Sequence, residues 1–247
     1  MHEETVLWHL GNNMTFHGKT LVMTWLVMVV VLVFVLSGVR NLTSGKPGKM
    51  QNILEWMVDF VRKLVSDTMD LEKARPILGY LITLILFVFV SNMFGLLPNL
   101  TLNLFHNVEF AQLNKIFEGA SWMSPTADIN TTAALALLTM ILVVGMGIKH
   151  QGGHYFKHFL EPNPVFLLIH LIDMISKPLT LAFRLFGNIF AGEVMISVIL
   201  MIPGIWVMTG ILPDAIWLAF SVFIGSIQSY VFTVLTTAYV AQAVGDE

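Results

Sequence analysis

The sequence contains no cysteine and very little charge. Without cysteine, the chain has neither a disulfide framework nor a thiol nucleophile. Charged residues make up 12% of the chain, about half of what a soluble domain carries, whereas 56% of the residues are hydrophobic. This composition excludes an ordinary soluble protein and predicts a polytopic, all-α membrane protein.

Five apolar segments are long enough to cross a bilayer, for which about 20 apolar residues are needed. We expect a single membrane domain over residues 1–247, with an outer N-terminal segment at 1–20 and spans at 21–40, 77–97, 131–148 and, as a hairpin, 165–202 and 215–244. An acidic head precedes the first span, unlike the basic head of a cleaved secretory signal, so this span is expected to be retained.

The basic residues predict how the chain is oriented. They concentrate between the first and second spans and between the third and fourth, whereas the opposite side has only Lys19 and Lys115. Because loops rich in lysine and arginine stay in the cytoplasm, the N-terminus is expected outside and the C-terminus inside.

An amphipathic helix is predicted over residues 47–67, between the first two spans. Met50, Leu54, Met57 and Val61 follow helical spacing, with charged residues on the other face. The helix is expected either to lie on the cytoplasmic membrane surface or to dock a partner, and both can hold.

The last two apolar segments are longer than a bilayer requires. Residues 165–202 would form a helix of about 57 Å, against a hydrocarbon core of about 30 Å. We therefore predict a hairpin of two long helices, 165–244, that are strongly tilted or bent at Pro178.

Five polar residues share one face of the fourth apolar segment at 100° per residue: Asp173, Lys177, Thr180, Arg184 and Asn188. An arginine in the membrane costs about 2.5 to 17 kcal/mol and stays charged, so Arg184 predicts an anionic partner or a watery ion pathway. An internal ion pair, such as Asp173 with Lys177, is the alternative explanation for part of the stripe.

Further candidates for an ion pathway lie on the same and the following segment. Glu193 is nine residues past Arg184, on the opposite helix face, which suits a proton relay or a carboxylate held by hydroxyls at the outer interface. Ser221 is expected to face Glu193, and Gln228 to orient Arg184 or to hold helices together. Asp128 opens the third span, either on the pathway or as a helix N-cap.

Three regions carry a family resemblance, which extends over nearly the whole chain. Lys177-Pro178, residues 183–188 and Ala191-Gly192-Glu193 resemble subunit a of F-type ATP synthases. Residues 124–132, which include Ser-Pro-Thr-Ala-Asp, and the final helix with Gly225, Gln228 and residues 235–239 resemble the same family. Some members have a histidine where Ser221 stands, and some have an acid where His170 stands.

The resemblance implies a non-catalytic stator beside a rotating ring of subunit c, with peripheral stalk subunit b and the rest of the complex as partners. It implies an outer half-channel lined by Asp128, Glu193, Ser221 and His170 and an inner one lined by Asp173, Thr180 and Asn188. Arg184 would separate them and favour the ionised form of each ring carboxylate. The location implied is the bacterial plasma membrane rather than the thylakoid.

A secondary ion transporter with an intramembrane Arg/Glu site is the alternative. Such transporters usually show inverted repeats, which this sequence lacks. No cofactor or nucleic acid is expected, and no metal either, because Gly152 and Gly153 would break a helix that placed His150, His154 and His158 on one face.

Overall fold

The computed structural model describes residues 7–9, 15–40, 42–43, 45–104, 124–152, 165–200 and 212–245. The predicted turn between the last two helices, and His154 and His158, lie outside these residues. An antiparallel ribbon of two short strands, β1 (Leu7–His9) and β2 (Thr15–His17), comes first, and the sequence analysis did not predict it.

Seven α-helices account for most of the described chain. They are α1 (Gly18–Val39), α2 (Lys49–Ser66), α3 (Leu71–Ala74), α4 (Leu78–Leu104), α5 (Ile129–Gln151), α6 (Val165–Leu200) and α7 (Leu212–Val244), with a 3-10 turn at Pro125–Ala127 before α5. Apart from the ribbon, the described residues are consistent with the all-α membrane protein that the composition predicts.

Four helical segments of the described chain are long and apolar enough to cross a membrane. These are Thr20–Val39, Leu78–Gly95, Ile129–Gln151 and Ala215–Val244. The remaining predicted span, the fourth along the chain, corresponds to α6, which is 36 residues long and continues through Pro178. Its crossing of the membrane, and the tilt of the hairpin, stay predictions.

Two buried apolar clusters hold α4, α5 and α7 together. The first joins the start of α4 and the last turns of α5 and α7 to α2 and α3, through Val61, Val65, Leu81, Val143, Val240 and their neighbours. The second lies further along the bundle and brings in α6, through Leu84, Val88, Ala136, Leu181, Leu185 and Phe232. The part of α6 that carries Arg184 is therefore fixed against the bundle, by Leu181 before it and Leu185 after it.

The amphipathic helix α2 is fastened to the end of α1 and to the linker between them. A Cβ added to Gly38 would lie 3.0 Å from Leu54 Cδ2, so the two helices approach closely there. The buried side chain of Gln51 accepts from Thr43 N at 3.2 Å and donates to Thr43 O at 3.0 Å. Met50, Ile53 and Trp56 remain exposed, so both predicted uses of α2 stay open.

The exposure of the side chains changes along helix α6. From Leu167 to Ser176 every side chain is exposed except that of the half-buried His170. From Leu181 onward one side is buried, with Leu181, Ala182, Leu185 and Ile189 in the core. The first third of α6 thus extends beyond its contacts within the chain.

Candidate functional site

The polar stripe of α6 begins with an interhelical cluster around Lys177. Lys177 Nζ lies 3.3 Å from Asp173 Oδ2 and donates to Gln242 Oε1 of α7 at 2.7 Å. It also stands 5.3 Å from the centre of the Tyr239 ring, within cation–π range. The internal Asp173–Lys177 ion pair, which the sequence analysis gave as an alternative, is therefore present. Gln242 and Tyr239 of α7 also contact Lys177.

Arg184 lies one turn beyond Thr180, half-buried between the core residues Leu181 and Leu185. Among the residues that the structure describes, no carboxylate oxygen lies within 4.0 Å of its guanidinium, although the ion pair of Lys177 with Asp173 lies two turns away on the same helix. A guanidinium keeps its charge at any physiological pH, so Arg184 presents a half-buried cation that has no counter-charge among the described residues.

Asn188 and Gln228 connect α6 to α7 one turn beyond Arg184. Asn188 Nδ2 donates to Gln228 Oε1 at 2.9 Å. Gln228 is buried, and its Nε2 has no hydrogen-bond partner among the described residues. The alternative expected for Gln228, an interhelical hydrogen bond, is therefore present, and its orienting Arg184 stays a prediction.

Ser221 packs where α7 crosses the turn of α6 that precedes Glu193. Its Oγ lies 3.4 Å from the position of a Cβ added to Gly192, and the Trp217 Nε1 donates to the Gly192 carbonyl at 3.1 Å. Ser221 Oγ is buried with no partner among the described residues. The side chain of Glu193 is outside the described part of the structure, so its facing Ser221 stays a prediction.

Asp128 has the contacts of a helix cap. Its Oδ1 accepts from Asn130 N at 2.8 Å, and its Oδ2 accepts from Thr20 Oγ1 of α1 at 2.8 Å. Asp128 is therefore the N-cap of α5, as one of the two interpretations expected. Its contact with Thr20 also holds the start of α5 against α1.

A buried polar chain, which the sequence analysis missed, runs beside Asp128 from α4 to α7. Ser124 Oγ lies 2.8 Å from the Ser91 carbonyl and 2.7 Å from Thr126 Oγ1. Thr126 Oγ1 lies 2.7 Å from Asn92 Oδ1, and Asn92 Nδ2 lies 2.9 Å from the Gly225 carbonyl. We call these three side chains and two carbonyls the oxygen chain.

Thr180 and His170 are the remaining predicted residues of α6 whose side chains the structure describes. Thr180 donates its hydroxyl to the Ser176 carbonyl of its own helix at 2.7 Å. His170 lies three residues before Asp173 and, on the continuous α6, about 34 Å from Glu193. His170 thus lies at the Lys177 end of the helix, and its grouping with Glu193 and Ser221 in one half-channel stays a prediction.

The described residues contain no group of three His, Cys, Asp or Glu side chains that could hold a metal ion. These residues instead bring together the cation Arg184, the neutral amides of Asn188 and Gln228, and buried hydroxyls. Such groups can orient and stabilise a charge that arrives from outside the chain.

Comparisons with known proteins identify the family. The family model described as ATP synthase A chain matches residues 21–241. The chain belongs to this family. It is similar to ATP synthase subunit a of Desulforamulus reducens, with 37% identity over 97% of this chain and 84% of the relative. It is also 36% identical to ATP synthase subunit a of Bacillus subtilis, over 95% of each chain, and 37% identical to that of Listeria monocytogenes, over 94% of each.

Membership of the ATP synthase subunit a family confirms the resemblance. It assigns the chain to the membrane sector of an F-type ATP synthase, as a non-catalytic subunit that has the rest of the complex as its partner. The bacterial relatives and the apolar helices together indicate a bacterial membrane protein.

Proposed function

We propose that this chain is the ion-conducting stator of a rotary ATP synthase. It would present two offset half-channels to the carboxylates of a ring of subunit c, with Arg184 between them. Flow of H⁺ or Na⁺ through the half-channels would turn the ring and drive ATP synthesis elsewhere in the complex.

One observation carries the proposal: Arg184 has no carboxylate partner within the described part of its own chain. An arginine in the membrane is costly unless an anion or water compensates it. A ring carboxylate that passes Arg184 would be held in its ionised form, because a nearby opposite charge favours ionisation. The ion bound to that carboxylate would be released, and the fixed cation would repel ions that leak directly between the half-channels.

The two ends of the α6–α7 pair suit the two half-channels. On the inner side we place Asp173, Thr180 and Asn188, beside the ion-paired Lys177. On the outer side we place Asp128, Glu193 and Ser221, with Gln228 near the centre. One charge that crosses the membrane gains about 2.3 kcal/mol per 100 mV, and ring rotation would transmit this free energy.

The remaining assignments complete the proposal. We place the chain in the bacterial plasma membrane with its N-terminus outside and its C-terminus in the cytoplasm, as one domain with the boundaries given above. The rotor ring, peripheral stalk subunit b and membrane lipid would cover its exposed apolar side chains. The first third of α6, exposed on nearly all sides, is where we expect such contacts.

The proposal is tested by replacing Arg184 in the complete complex. Arg184→Ala should abolish ATP-driven ion pumping into vesicles while the complex still assembles. Arg184→Lys should fail as well, because an ammonium lacks the planar fork of a guanidinium. Arg62→Ala is the matched control, since this α2 arginine is exposed and lies 3.9 Å from Asp59. Pumping at the normal rate with Arg184→Ala would refute the proposal.

A further inference from the structure

The loop that joins α1 to α2 carries three cations and no acidic side chain. Arg40, Lys46 and Lys49 follow one another closely, and the sequence has no aspartate or glutamate between Glu4 and Glu55. All three basic residues are exposed, and among the described residues no carboxylate oxygen lies within 4.0 Å of them. The loop therefore concentrates positive charge that the described part of the chain does not offset.

Hydrogen bonds of the buried Gln51 side chain fasten this loop. The amide bonds both the N–H and the carbonyl of Thr43, and the Thr43 hydroxyl lies 3.3 Å from the Lys46 carbonyl. The same amide donates to Glu55 Oε1 at 2.8 Å, which engages the first acidic residue of α2. The close approach of α1 to α2 fixes the two ends of the loop. The three cations thus project from a structured loop.

The loop begins where α1 leaves the hydrocarbon core. The apolar segment Thr20–Val39 has 20 residues, which as a helix span about 30 Å and match the thickness of the core. Arg40 follows directly, so the cations lie at the level of the lipid headgroups. Leu42 and Met50, which are 62% and 52% exposed, add apolar surface to the same loop and to the start of α2. A ligand that fits this surface is anionic and carries hydrocarbon.

We propose that Arg40, Lys46 and Lys49, together with Leu42 and Met50, bind an anionic phospholipid. The cations would contact the phosphate of the headgroup through charge-assisted hydrogen bonds, and the apolar side chains would contact the upper part of the acyl chains. In the proposed orientation this lipid belongs to the cytoplasmic leaflet, where basic residues next to a span attract anionic headgroups. The inference uses the membrane location of the chain but no part of its ion pathway.

The test identifies the lipid beside the loop in the assembled complex. Because the chain has no cysteine, Val39→Cys places a single fluorophore at an exposed position next to Arg40, in a complex whose other subunits lack reactive cysteines. The complex is reconstituted into phosphatidylcholine vesicles that contain increasing fractions of brominated phosphatidylglycerol or, for comparison, brominated phosphatidylcholine. Bromine quenches a neighbouring fluorophore, so the two titrations give the preference of the site for the anionic lipid.

Removing two of the cations should reduce this preference strongly. Lys46→Gln combined with Lys49→Gln should lower it about 25-fold, since each lysine or arginine near an anionic surface contributes roughly fivefold. Arg62→Gln combined with Lys63→Gln is the matched control, because it removes the same charge from exposed positions of α2 and should leave the preference nearly unchanged.

A further variant separates a structured site from general attraction. Gln51→Met keeps all three cations and a buried side chain of similar length but removes the hydrogen bonds to Thr43, so the preference should fall in this variant as well. If Gln51→Met kept the full preference, the loop would attract anionic lipid without forming a site, and the proposal would be overturned.

Three other results would also overturn the proposal. They are a wild-type complex without preference for phosphatidylglycerol, a preference that survives the loss of Lys46 and Lys49, and an equal loss in the control. Quenching by neither lipid, with detachment of the peripheral stalk when both lysines are replaced, would show that a protein segment covers the loop instead. None of these results bears on pumping through Arg184, so the proposed function can stand while this inference falls.

Discussion

The two ends of the α6–α7 pair hold their polar residues in opposite ways. At the Lys177 end, charged side chains satisfy one another: Lys177 contacts Asp173, Gln242 and Tyr239, and Asp173 remains 61% exposed. At the Ser221 end, neutral polar atoms are buried, and Ser221 Oγ and Gln228 Nε2 lack partners among the described residues.

The difference shows where an ion can be expected to interact strongly. An exposed charged cluster exchanges readily with water, and its mutual contacts add little stability. Buried polar atoms without partners cost free energy until a water or an ion reaches them. The Ser221 end is therefore the more sensitive to substitution, and the following predictions test this ordering.

The largest effect is expected where α7 touches α4 at Gly225. A Cβ there would lie 3.2 Å from Asn92 Cβ and 3.3 Å from Met93 Cε. Gly225→Val should separate the helices and cost about 3 kcal/mol or more, at the upper end for overpacking, because two neighbouring side chains would have to move. The measurement is the thermal stability of the solubilised complex and the yield of assembled subunit. Gly145→Val is the control, since nothing lies within 4 Å of its added Cβ; equal behaviour of the two variants would contradict the prediction.

A middle-sized effect is expected at the Asn188–Gln228 hydrogen bond. Asn188→Leu leaves both polar atoms of the buried Gln228 side chain without a described partner, at a cost of about 1–3 kcal/mol. Gln228→Leu in the same chain should recover part of this loss, because the buried amide is then gone. A double-mutant cycle on thermal stability measures the coupling. Purely additive losses would show that the contact contributes nothing.

The smallest effect is expected at the charged end. Lys177→Met should lower the stability of the complex by at most about 1 kcal/mol, since its partner carboxylate is largely in solvent. Added salt should reduce the difference from wild type. Asp59→Asn is a control with no measurable effect, because the Asp59–Arg62 pair is long, at 3.9 Å, and more exposed. A loss at Lys177 larger than that at Asn188 would reverse the ordering of the two ends.

Periodicity predicted the helices well, because apolar spacing is a local property of the chain. The amphipathic helix expected at 47–67 is observed at Lys49–Ser66, and the apolar segment expected to be helical at 131–148 is a helix at Ile129–Gln151. The strands Leu7–His9 and Thr15–His17 were missed, because three-residue strands are too short to show a pattern.

The polar contacts were harder to predict, because they depend on which helices are neighbours. Gln242 is 65 residues from Lys177, and Asn188 is 40 residues from Gln228, so no local spacing relates them. The oxygen chain did leave a signal. Ser91 and Asn92 are adjacent polar residues within the otherwise apolar second span, and such residues rarely lie in a membrane without partners.

The lack of a counter-charge for Arg184 among the described residues also has a consequence for biosynthesis. If a carboxylate of another subunit compensates Arg184, as proposed, a newly inserted chain bears the cost of the guanidinium in lipid until that subunit arrives. Surplus copies should therefore be short-lived and open to membrane proteases, so that the cellular amount of this subunit follows the supply of ring subunits rather than its own rate of synthesis.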